Sequence, residues 1–144
     1  MEIRNTLAAA ALSVFALSAL TAQDDFTTPS NPDTVLYFIS PADGETIKGP
    51  VTVKFGLKGM GVAPAGVEKE GTGHHHLLVN VPLPELEYNI VMDENHLHFG
   101  GGQTETTLAL PPGKHTLQLL LGDQNHLPHK PAVYSSQITI TVVE

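Results

Sequence analysis

The feature that most constrains this chain is its punctuation. From Val35 onward, short runs rich in β-branched and aliphatic residues alternate with clusters of Gly and Pro. The runs are Val35–Ile39, Val51–Leu57, His74–Val81, Tyr88–Met92, Thr104–Leu110, His115–Leu121 and Gln137–Val143. Between them lie Pro41-Ala42-Asp43-Gly44, the Gly/Pro-rich stretch 58–73, Gly100-Gly101-Gly102, Pro111-Pro112-Gly113 and the segment 122–131. Gly and Pro there supply turn dihedrals that other residues adopt poorly. No segment after residue 22 carries an apolar 3.6-residue period long enough for a helix.

In the last run, Ile138, Ile140 and Val142 alternate with Thr139, Thr141 and Val143, so one face is apolar and the other mostly polar. Leu117, Leu119 and Leu121 do the same in the run before it. That alternation is the mark of a half-buried strand. The expectation is an all-β fold, an immunoglobulin-like antiparallel β-sandwich of about seven strands over residues 35–144. A small Greek-key barrel is the alternative architecture. The absence of Cys and Trp separates it from antibody-type domains.

The N-terminus reads as an export signal. Arg4 precedes an apolar run from Leu7 to Leu20, and Ala22 stands before a polar junction. The run is shorter than the roughly 20 apolar residues that span a bilayer. Residues 1–22 are therefore expected to be a cleaved signal peptide that leaves no membrane anchor, and the protein to be periplasmic or secreted. Residues 23–34, polar and Pro-containing, are expected to be a flexible linker.

Several stretches have a counterpart in a known family. They are Phe38-Ile39-Ser40-Pro41-Ala42-Asp43-Gly44, Phe55-Gly56-Leu57, Pro64-Ala65-Gly66, Gly73-His74-His75-His76-Leu77-Leu78, His98-Phe99-Gly100, Gly102-Gln103-Thr104-Glu105-Thr106, and Pro112-Gly113-Lys114-His115-Thr116-Leu117-Gln118-Leu119. In these the chain resembles a bacterial family of exported proteins, the domain of unknown function 4399. The resemblance implies export and a single domain. It implies no activity, so function has to come from the residues.

Composition narrows the choices. The chain has 7 Lys+Arg, 15 Asp+Glu and a net charge of −8, with no basic block, which argues against nucleic-acid binding. An acidic surface favours cations as partners. Without Cys there is no thiolate ligand, thiol nucleophile or blue-copper centre. The excess is in histidine, with 8 residues.

In an immunoglobulin-like topology, alternate loops gather at one end of the sandwich. This places His74, His75, His76, His96, His98, His126 and His129 together and His115 at the far end. His74/His76 and His96/His98 are i,i+2 pairs, which share a strand face about 6.6 Å apart. Two imidazoles so placed can lean onto one ion. His74, His76, His96, His98, His126 and His129 are thus candidate metal ligands, with His98 and one of His126 or His129 completing the set and His96 in reserve. His75 and His115 fall in phase with core leucines and are expected to be buried and hydrogen-bonded to backbone.

Imidazole-only sites suit Cu(II) or Zn(II). Met60 is expected to pack rather than ligate, and Glu68, Glu70, Asp93 and Glu94 to be solvated. Affinity is expected to fall as pH drops through about 6.5, the ordinary His value. The reading is a non-catalytic metal-binding domain. The second reading is an envelope interaction module with a protein partner and no metal. A copper redox enzyme is a remote third: His96-Leu97-His98-Phe99-Gly100 echoes a superoxide dismutase segment, but the bridging-histidine segment and the disulfide cysteines are missing.

Overall fold

The computed structural model describes residues 26–144. The signal segment expected over residues 1–22 lies outside the described residues. The strands are β1 (Val35–Ser40), β2 (Thr46–Lys48), β3 (Val51–Lys58), β4 (Gly61–Val62), β5 (Thr72–Val79), β6 (His96–His98), β7 (Glu105–Leu108), β8 (Gly113–Gly122) and β9 (Ile138–Val143). No helix occurs among the described residues.

The strands form two sheets, one ordered β1-β3-β7 and the other β2-β9-β8-β5-β4, with β6 pairing on β5. The main ladders are antiparallel; the short β2 and β4 pair in parallel with β9 and β5. Taking the long strands alone, the first, second and fourth share one sheet, and the third, fifth and sixth the other. That is the division of an immunoglobulin-like sandwich. The inner faces bury Leu36, Val51, Val53 and Phe55 against Leu77, Leu117, Leu119 and Ile140. At about 25 cal/mol per Å² of apolar surface removed from water, these side chains are the main force closing the two layers.

Six of the expected runs are strands; Tyr88–Met92 is not. Ile90 alone is buried there, and its N–H donates to the carbonyl of His126, a loop residue. A single anchor bonded to a loop cannot start a ladder.

Of the expected linker, residues 23–25 lie outside the described residues, and part of the rest makes hydrogen bonds to the domain. Lys130 N–H donates to the Thr28 carbonyl at 3.0 Å, and Ser30 N–H donates to the Lys130 carbonyl at 3.2 Å. The Ser30 hydroxyl reaches the Pro131 carbonyl at 2.7 Å. The strap from Thr28 to Asn31 is thus bound to the domain. Its pairing is through backbone and hydroxyl groups, which leave no apolar pattern to read.

The outer face of the larger sheet positions the site. Strand side chains alternate between faces. On β5, Leu77 and Val79 enter the core, and the His75 ring lies 5.0 Å from that of Phe55 across the sandwich. His74, His76 and Leu78 therefore point the other way. An outer face is ordinarily wet, yet these three are buried. The segment around Ile90 and the loop 123–127 roof that face and make a second, smaller buried layer with Leu120.

Candidate metal centre

Four imidazoles converge on the outer face where β5 begins and β8 ends. His74 and His76 come from β5, His98 from β6 and His126 from the loop after β8. The register sets His98 directly across from His76 and Gly122 across from His74. The Nε2 atoms of His74 and His76 are 3.0 Å apart, and those of His98 and His126 are 3.1 Å apart. In each pair one ring donates and the other accepts. The His74 ring lies 5.0 Å from both His98 and His126, and the His76 ring 5.1 Å from His98 and 6.1 Å from His126.

His74, His76 and His98 each offer a ligand atom, and these lie within 4.8 Å of one another. Two nitrogens bound to one ion at 2.0–2.1 Å stand roughly 3–3.4 Å apart, close to the spacing inside each pair. The three-histidine cluster can hold a metal ion.

Burial favours the uncharged form of His74, His76 and His98. It pushes His74 down to about 4, helped by His126 and His98 and opposed by Asp123. It pushes His76 down to about 2, again with the neighbouring imidazoles adding to the effect. His98 is lowered too, first by burial and then by His126. A metal ion needs the neutral ring. The lowered values favour the form that an ion would need.

Two glycines leave room for the rings. A Cβ on Gly122 would come 3.0 Å from His76 Nε2, and one on Gly100 would come 2.6 Å from His98 Nε2. The turn-rich composition around both glycines hid this second use.

The remaining candidates lie elsewhere. His96 turns to Asp93, its Nδ1 2.8 Å from Oδ1. His129 is buried, and its Nε2–H donates to the Thr72 carbonyl at 3.0 Å, away from the four rings. Between the two loop histidines, His126 enters the cluster, because its left-handed backbone (φ 64°) reverses the direction of the chain there. His115 donates from Nε2 to the Pro111 carbonyl at 2.7 Å and accepts from Asn80 at Nδ1. His75 is fully buried, and neither ring nitrogen makes a hydrogen bond of good geometry; the Gln103 backbone is its polar neighbour. Burial lowers it to about 4, with the Gln103 backbone pulling weakly the other way. Met60 packs against the core, and Glu68, Glu70, Asp93 and Glu94 are exposed.

A residue that the sequence reading passed over is Asp123. It is the one buried carboxylate among the described residues, and it follows directly on Gly122. In the sequence it lies at the start of the segment 122–131, which reads only as the break between two strands.

An all-β sandwich with a histidine cluster on its outer face is the class of protein these observations define. The chain belongs to the family described as Domain of unknown function (DUF4399), which matches it over residues 53–143. No curated protein matches the chain. Among solved structures, the endo-beta-1,4-mannanase from Thermotoga petrophila is similar over 78% of this chain, at 20% identity and a TM-score of 0.47. The match covers 20% of that enzyme, so the chain spans only a small part of its length. The fibronectin(III)-like modules of Clostridium thermocellum CbhA are similar over 75% of this chain and 93% of theirs, at 8% identity and a TM-score of 0.38.

Proposed function

We propose that this protein is an exported, non-catalytic metal-binding domain of the periplasm that holds one Cu(II) or Zn(II) ion on His74, His76 and His98, with His126 as the fourth imidazole. The observation that carries the reading is the meeting of three ligand atoms within 4.8 Å, two of them on the buried side chains of His74 and His76. Nitrogen donors without thiolate suit these two ions. A chain of net charge −8 also attracts cations.

The test is a melting curve of untagged protein with Zn(II), Cu(II) or a chelator. A ligand of the native state at 100 times its Kd adds about 2.7 kcal/mol of stability. The expected result is a rise in Tm at one equivalent, reversed by chelator and absent from the double change His74→Ala, His98→Ala. An unmoved Tm with both metals would turn the reading to an interaction module of the cell envelope.

A further inference from the structure

Asp123 is fully buried, and its hydrogen-bond partners belong to the His126 loop or to the N-terminal strap. Oδ1 accepts the N–H of Asn125 at 2.8 Å and of Leu127 at 3.0 Å. Oδ2 accepts the hydroxyl of Thr28 at 2.8 Å, across 95 positions of sequence. The main chain of Asp123 closes the same loop. Its N–H donates to the Leu127 carbonyl at 2.8 Å, and its carbonyl accepts the N–H of His126 at 3.0 Å.

This lattice of bonds has a purpose at His126. A non-glycine residue in the left-handed region persists when its surroundings over-determine it. Here the surroundings are the bonds of Asp123 on either side, and the result is a ring delivered to within 3.1 Å of His98.

Charge points the same way. A divalent ion on neutral imidazoles keeps its full double charge, and a buried charge is costly without a counter-charge. Asp123 is the buried carboxylate on hand, and its field acts on His74 against the effect of burial. Partners behind the ligands of a metal commonly govern its affinity.

We propose that Asp123 is the positioning residue and counter-charge of the centre, and that Thr28 clamps it, so that ion binding and docking of the strap support each other. This rests on the reading of the histidine cluster as a metal centre. The carboxylate does not ligate: it holds His126 in place and faces the ion's charge. The linkage is reciprocal, so a bound ion tightens the strap as much as the strap tightens the ion.

The experiment measures Zn(II) affinity by chelator competition, and the nitrogen hyperfine pattern of bound Cu(II), in untagged wild type, Asp123→Asn, Thr28→Val and Thr28→Ser. Asp123→Asn keeps an acceptor for the loop and removes the charge. It should bind about 10–100-fold more weakly, with an altered copper spectrum. Thr28→Val should weaken binding by about tenfold or less, and Thr28→Ser should restore it. Zn(II) should also slow amide exchange at Ser30 and Lys130, the backbone donors of the two strap–domain bonds, in wild type but not in Thr28→Val.

Asp123→Asn and Thr28→Val proteins that bind like wild type, with an unchanged copper spectrum, would overturn the proposal and leave the metal centre standing. If Asp123→Asn does not fold, the Thr28 pair decides: equal affinity of the Val and Ser variants overturns it. A wild type that binds neither ion removes both this inference and the metal reading.

Discussion

Gly122 and His76 share one small space: a Cβ on the glycine would lie 3.0 Å from the Nε2 of the histidine and 3.2 Å from its Cδ2. The same holds more sharply for Gly100, where a Cβ would come 2.6 Å from His98 Nε2. In both cases the obstructed atom is at the end of a side chain, which moves more cheaply than backbone. Gly100→Ala is therefore expected to leave the sandwich folded and to swing His98 away. Zn(II) affinity should drop about tenfold or more, as for other changes behind metal ligands. Gly122→Ala should act less strongly, because its contact asks the ring to give by only a few tenths of an ångström. Circular dichroism and a competition titration on each variant check this.

Two of the histidines that stand apart, His115 and His129, separate structure from ligation. His115→Ala loses the bonds to Pro111 and Asn80, and His129→Ala loses the bond to Thr72. Each leaves a carbonyl without its partner, a cost of about 1–3 kcal/mol when the group is buried. Both variants should melt earlier than wild type and still bind one equivalent of metal. Loss of binding in His129→Ala would place that ring at the ion.

His126 carries a cost of its own. An L-residue in the left-handed region is disfavoured by roughly 1–2 kcal/mol relative to glycine. His126→Gly is expected to give metal-free protein about 1 kcal/mol more stable than His126→Ala. Both should bind metal more weakly than wild type. Chemical denaturation with chelator present measures the first difference, and titration the second.

Metal-free protein should lose stability on acidification before its carboxylates titrate. In the unfolded chain His74, His75 and His76 take up protons near 6.5, whereas the folded values are about 4, about 4 and about 2. Between 6.5 and 4 the unfolded state therefore binds more protons, and stability rises with pH. The contribution is fully present above 6.5 and is lost as pH falls toward 4, and further for His76. Each proton is worth about 1.4 kcal/mol per pH unit. Denaturation midpoints at pH 7, 6, 5 and 4.5 test this. Replacing His76 with Gln should flatten the slope, and a midpoint that does not change from pH 7 to 5 would contradict the burial argument.

Much of the sandwich was legible because strand patterning is local. Ile138, Ile140 and Val142 declare one apolar face whatever surrounds them, and the bonds they make match it. The run Tyr88–Met92 misled because alternation does not reveal whether a partner strand is present. Its backbone donor at Ile90 found a loop carbonyl instead. The strap from Thr28 to Asn31 was unreadable for the converse reason: its bonds are made by backbone and hydroxyl groups to residues about a hundred positions away.

The site divides along the same line. The i,i+2 spacing of His74 and His76 by itself set both rings on one face of a strand, because the side-chain period of a strand is two residues. It set His75 on the opposite face for the same reason. Which face would be roofed and dry was decided only when the Ile90 segment and the loop 123–127 folded over the outer side of β5 and β8. The choice of His126 over His129 was tertiary as well. It turns on one left-handed residue in a loop that Asp123 holds closed, and no local pattern encodes where a side chain on such a loop will point.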